Sequence, residues 1–193
     1  FPESRFTVIG HSVGGQIIGM SPLSENVDNI ITIAAQTPYW KNFKSTSKLF
    51  TFWYVMIPFF TKMFGYFPAS KLGLFENLPA GVALQWSRWA KSKTYVFDEL
   101  PYMKERFRSL HQPALMISFS DDDYAPKNSV MNLMSFFKNL KWNHWHLSPS
   151  DIKQNRIGHF GFFRKKLASN TWTDITRWMV GMTPVATPSS KAA

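Results

Sequence analysis

The stretch Val8-Ile9-Gly10-His11-Ser12-Val13-Gly14-Gly15 constrains this chain more than any other. The residues that lead into it, Arg5 to Ile9, are apolar and β-branched and break at a glycine, which predicts a buried strand. Those that follow, Gly14 to Met20, predict a helix ending near Ser21-Pro22. A serine held in G-x-S-x-G between a strand and a helix sits on a sharp, strained turn. The residues two before and two after it must then be small, and Gly10 and Gly14 meet that demand. The Ser12 hydroxyl is expected to project above the sheet edge. The N–H of Val13 is expected to point at the place where an oxyanion would develop.

A serine nucleophile needs a base, and the base needs an orienting carboxylate. On such an elbow the chain order is serine, acid, histidine. The acidic cluster Asp121-Asp122-Asp123-Tyr124-Ala125-Pro126 directly follows a predicted strand, Pro113–Phe119, and any of its three carboxylates could serve. The other two could cap the helix that follows. Five histidines compete for the base. His11 adjoins the serine and is expected to shape the pocket. His111 precedes the third predicted strand. His144 and His146 share one face of a fourth predicted strand, Lys141–Leu147, where no third metal ligand is evident. His159 lies in Gly158-His159-Phe160-Gly161, on a predicted loop whose glycines let the backbone bring an imidazole to Ser12. It is the candidate base.

The rest of the chain fits one organisation. Val27–Ala35 is a second apolar run of strand length. Pro126–Lys138 predicts a helix with Val130, Leu133, Met134 and Phe137 on one face. Thr171-Trp172-Thr173-Asp174 resembles a capping box ahead of a last helix carrying Ile175, Trp178 and Met179. Strands alternating with helices imply an α/β fold, a mostly parallel sheet with helices on both faces. Residues 36–110 read as a helical insertion. Helices are predicted around Ser47–Phe64 and around Pro79–Lys91, the latter with Leu78, Val82, Trp86 and Trp89 at helical spacing. The expected parts are therefore a first core segment (1–35), the insertion (36–110), a second core segment (111–182) and a disordered tail (183–193).

Composition narrows the chemistry. The 193 residues contain no cysteine, so disulfides, thiolate metal sites and a cysteine nucleophile are excluded. No metal or organic cofactor is expected. No charged-then-apolar leader follows Phe1, and a cytoplasmic location is expected. The net charge of +10 is dispersed, with no nucleic-acid-binding pattern, and no nucleic-acid partner is expected. Residues 36–110 hold eleven basic and four acidic side chains, a net of +7, among many aromatics. Basic and aromatic together suit a transient contact with an anionic membrane surface. The longest uncharged run, LFTFWYVMIPFFT, is too short to span a bilayer.

GHSVGG, SDDDYAP and IGHFGFFR, in that order, resemble the α/β-hydrolase superfamily of serine hydrolases. The segments around Gly65-Tyr66-Phe67-Pro68 and Leu78-Pro79-Ala80-Gly81-Val82 to Trp89 resemble a bacterial branch related to serine aminopeptidase-like and lysophospholipase-like members. The resemblance implies Ser12 as nucleophile, Asp122 as the triad acid, four residues before Pro126, and His159 as general base. It implies the Val13 N–H in the oxyanion hole and residues 36–110 as a cap. It implies an ester or similar acyl substrate, with a hydrophobic moiety suggested by the aromatic cap. His11, Trp40, Trp86 and Phe160 are the candidate pocket residues. Amide or thioester cleavage and a non-catalytic interaction or membrane-surface module are the alternatives. The family places several strands before its elbow and takes its second oxyanion N–H from an early loop. With 11 residues before Ser12, the resemblance implies a fragment lacking those N-terminal strands.

Overall fold

The first apolar run settles slightly later than its pattern suggests, as strand β1 (Thr7–His11), and turns at Ser12 straight into helix α1 (Val13–Ile17). The computed structural model of the chain describes residues 4–165 and 168–181. In chain order there follow β2 (Asn29–Ile33), α2 (Thr46–Thr51), α3 (Ile57–Phe64), β3 (Tyr66–Phe67), β4 (Leu78–Pro79) and α4 (Ala80–Lys91). Then come α5 (Met103–Ser109), β5 (Pro113–Phe119), α6 (Lys127–Met134), β6 (Lys141–Leu147), α7 (Gly158–Gly161) and α8 (Ala168–Met179). These elements divide into two compact units. One is Phe1–Gln36 with Tyr102–Ala193, the other Thr37–Pro101.

In the first unit four strands form a wholly parallel sheet in the order β1-β2-β5-β6. β2 is buried along its whole length, and β5 is buried after Pro113, as interior parallel strands are. β1 is different. Its one sheet neighbour among the described residues is β2, and Ile9 remains 51% exposed. The expected buried first strand is thus an edge strand, because an apolar run alone does not say how many neighbours a strand will find.

Register assigns the helices to faces. Gly10 pairs with Thr32, Thr32 with Met116 and Met116 with His144, so these four share one face. Helix α1 lies on it: a Cβ built on Gly15 would stand 2.4 Å from Ala35 Cβ and 3.3 Å from Thr32 Cβ. Phe137 reaches the same face through Trp142 and meets Phe107 of α5 at 4.6 Å. Phe107 also fills the space a side chain on Gly19 would need. Residues 102–110, assigned above to the insertion, therefore belong with the sheet. On the opposite face Asn29 Nδ2 donates to the Met179 carbonyl of α8, and Phe119 stacks on Phe162 at 5.7 Å. Helices thus cover both faces. Two local expectations fail. Thr171–Asp174 lies inside α8 rather than at its start, so it is no capping box. The segment carrying His159 is a short helix, α7, and not a loop. The tail from residue 183 lies outside the described residues.

In the second unit the helix runs on from α2 through a π-helical turn, Phe52–Met56, into α3. Pro58 is the cause. It has no N–H to give, and its ring would strike the carbonyl one turn back. The chain widens so that the Ile57 N–H bonds Phe52 O, five residues back. Trp53 O, next in that ladder, instead accepts the Ser87 hydroxyl of α4 at 2.7 Å. Gly65, at φ 74°, ends the helix in the left-handed conformation that favours glycine. Trp53, Ile57, Phe67, Ala69, Ala83 and Ala90 form the buried core of this unit. The buried face of α4 is not the predicted one: Ala83, Ser87 and Ala90 are buried, while Val82 is 51% exposed. Small side chains let α4 approach α3 closely, and the larger residues beside them are left at the margin.

Candidate active site

Parallel strands gather functional side chains at their carboxyl ends. Here β1 ends at His11, just before Ser12, β5 runs into the acidic turn, and the chain after β6 leads to α7. Ser12 has φ 52° and ψ −122°, a costly conformation for a residue with a side chain. It is held there by its N–H, which donates to Ile33 O at 3.0 Å. The close approach that this turn demands falls on Gly10 and Gly15. A Cβ on Gly10 would meet Gly15 Cα at 2.6 Å, whereas one on Gly14 would meet nothing within 4 Å. The expected need for a small residue two after the serine is thus displaced by one, because the first turn of α1 swings Gly15, and not Gly14, back against β1.

His159 Nε2 lies 2.9 Å from Ser12 Oγ, and His159 Nδ1 lies 2.8 Å from Asp122 Oδ2. Both His159 and Asp122 are buried. A carboxylate only accepts, so Nδ1 carries the proton, and Nε2 offers its lone pair to the serine hydroxyl. Asp122 Oδ1 accepts the N–H groups of Tyr124 and Ala125 at 2.9 and 3.0 Å. Its two oxygens are therefore both engaged, and the carboxylate is aimed at the imidazole. Gln36 Nε2 ties the same turn to the end of β2 by donating to Tyr124 O at 3.0 Å. Val13 is the first residue of α1, where an N–H has no carbonyl one turn back to bond.

Two side chains position this group in ways the sequence did not reveal. Asp121 accepts the N–H of Ile157 at 2.8 Å and that of Gly158 at 3.1 Å, clipping the acidic turn to the start of α7. It does not cap α6, which begins without a side-chain cap. His11 does not simply line a pocket. Its Nε2 bonds the His159 carbonyl at 2.9 Å as donor, and its ring lies edge-on to Phe160 and Phe163. Burial holds the His11 imidazole below its ordinary pKa, so it is neutral near pH 7. Asp123 is exposed. A local motif could not have disclosed either contact, since both partners lie more than a hundred or some tens of residues away.

The remaining candidates separate. Phe160 is 65% exposed and sits perpendicular to His159 at 4.8 Å. Together with Asp122, Tyr124, Arg156 and Arg164 it lines a cleft of about 440 Å³ that also reaches His159. Trp40 and Trp86 belong to the second unit and are packed against its core. His144 Nε2 and His146 Nδ1 each lie 2.8 Å from Ser118 Oγ, half-buried on the sheet face. Among the described residues no three His, Cys, Asp or Glu side chains gather as a metal site requires.

No protein-family model matches the chain, and no curated protein does. Solved structures do. A monoacylglycerol lipase of Paleococcus ferrophilus superposes with a TM-score of 0.52 at 11% identity, over 92% of this chain and 69% of the lipase. An acylaminoacyl peptidase of Pyrococcus horikoshii gives 0.48 at 9% identity, over 96% of this chain and 25% of that one. The esterase domain of a Rhodothermus marinus protein gives 0.44 at 14%, over 89% and 58%. The likeness to the lipase is one of fold: the chain has the α/β-hydrolase fold, and it spans about two thirds of the lipase's length.

Proposed function

We propose that the chain is a serine hydrolase that cleaves an ester or related acyl bond, with Ser12 as nucleophile, His159 as general base and Asp122 as orienting acid. The observation that carries this reading is the unbroken relay Ser12 Oγ, His159 Nε2, His159 Nδ1, Asp122 Oδ2, at 2.9 and 2.8 Å. Ser12 Oγ attacks the acyl carbonyl while its proton passes to His159 Nε2. The oxyanion that forms takes a hydrogen bond from the Val13 N–H. His159 then returns the proton to the leaving oxygen as the carbonyl–oxygen bond breaks, which leaves an acyl group on Ser12. Water, giving its proton to the same imidazole, then attacks the acyl carbon; the bond from that carbon to Ser12 Oγ breaks, and the imidazole returns the proton to Oγ. Asp122 stays ionised throughout and stabilises the imidazolium.

In this reading a small acyl compound is the substrate, and the cleft beside Phe160 and Tyr124 takes part of it. The test is hydrolysis of p-nitrophenyl esters by the full chain. Ser12→Ala and His159→Ala should each lower kcat by about 10⁴-fold or more, with KM little changed. A Ser12→Ala protein that retains the parent rate overturns the proposal.

A further inference from the structure

The second unit carries a surface that the chemistry above leaves unused. Its helical stretch runs without a break from Thr46 to Phe64, about 28 Å at 1.5 Å per residue. One side, Trp53, Ile57 and Thr61, enters the core of the unit. Another row at the same spacing, Val55, Phe59 and Met63, stays 54%, 53% and 58% exposed. Water-exposed rows of large apolar side chains mark interaction surfaces.

The charges around this row indicate its partner. From Thr37 to Phe75 there are five lysines, Lys41, Lys44, Lys48, Lys62 and Lys71, and no acidic residue at all. Lys48 and Lys62 lie on the helix itself and are exposed. None of the five pairs with a carboxylate among the described residues. A protein partner would have to bring both an apolar groove and a row of carboxylates. A bilayer with anionic headgroups supplies both halves at once: a hydrocarbon boundary for Phe59 and Met63, and negative charge for the lysine ammonium groups. Among the described residues no helix is long and apolar enough to cross a membrane. The fit is therefore to a helix lying in the surface.

We infer that the exposed face of the Thr46–Phe64 helix docks on an anionic lipid bilayer, with Val55, Phe59 and Met63 entering the interface and Lys48 and Lys62 on the headgroups. The inference does not depend on the hydrolase reading, since no residue of that relay is in this unit.

The test is co-sedimentation of the full chain with vesicles of phosphatidylglycerol and phosphatidylcholine, and with vesicles of phosphatidylcholine alone. Binding is expected to the anionic vesicles, to be weak on the neutral ones, and to fall as salt rises from about 0.05 M to about 0.5 M. Phe59→Glu with Met63→Glu, and separately Lys48→Glu with Lys62→Glu, should each weaken binding about tenfold or more. All four side chains are exposed, so circular dichroism and thermal melting should match the parent. No sedimentation with anionic vesicles overturns the inference, as does binding that neither double variant changes. Self-association without lipid that is lost in Phe59→Glu with Met63→Glu also overturns it, by giving the face to a second copy of the chain.

Discussion

Asp121 and Asp122 are neighbours with the same side chain and different partners. Successive side chains leave the turn in different directions. One meets the imidazole of His159, and the other meets the backbone that carries it. Removing the Asp121 carboxylate should let α7 drift and misplace His159 relative to Ser12. We expect Asp121→Ala to lower kcat on a p-nitrophenyl ester about 10- to 100-fold while KM holds, since small misplacements are costly in catalysis. Asp121→Asn, which keeps one acceptor oxygen, should lose less. A parent-like kcat in Asp121→Ala would remove Asp121 from any positioning role. The order serine, acid, histidine was legible because each lies directly after a strand or between glycines. The residue pattern alone left three aspartates open, because three identical side chains cannot encode the geometry of a backbone turn; the family resemblance pointed to Asp122, the one that faces the histidine.

The elbow shows what a sequence pattern does and does not carry. G-x-S-x-G marks the strand, the turn and the helix, yet the glycine under steric demand is Gly15, with Ala35 Cβ 2.4 Å from where its Cβ would be. Gly15→Ala should destabilise the fold by about 1–3 kcal/mol through overpacking. Gly14→Ala, with open space around it, should be neutral or stabilise by up to about 1 kcal/mol through helix propensity. Urea unfolding of the two variants checks this, and equal midpoints would contradict it. The same limit explains α4. Its apolar spacing was legible, but its buried row is Ala83, Ser87 and Ala90, because closeness to α3 and the carbonyl freed at Trp53 favour small and hydroxyl side chains. Strands β5 and β6 were legible end to end, β5 as an apolar run stopped by Ser120 and the acidic cluster, β6 by its alternation of aromatic and polar residues.

At the scale of the whole molecule, three histidines, His11, His144 and His146, give stability a pH dependence of one sign. Burial, with His146 and Lys127 nearby, pushes His144 down from 6.5 to about 4. His146 and His11 are lowered too, mainly by burial. The unfolded chain therefore binds protons that the folded chain refuses, and stability falls as pH drops from about 6.5 to about 4. For His144 the shift at ~1.4 kcal/mol per unit sets a ceiling of about 3 kcal/mol. Partial exposure of the ring reduces that to about 1–2 kcal/mol. The urea midpoint should thus fall between pH 7.5 and 4.5, and fall less in His144→Gln. An equal fall in both proteins would contradict the assignment. The division of the chain was partly legible at this level: the basic, aromatic middle becomes a unit of its own, Thr37–Pro101. Its second boundary was not, because only packing against Gly19 and Phe137 reveals that Phe107 belongs with the sheet.

Treating the full chain with a fluorophosphonate and locating the adduct by mass spectrometry tests the relay most directly. The tryptic peptide Phe6–Lys41 contains Ser12. The adduct should lie on Ser12 within it, disappear in Ser12→Ala, and form far more slowly in His159→Ala. An adduct on another residue, or labelling undiminished in Ser12→Ala, would contradict the account.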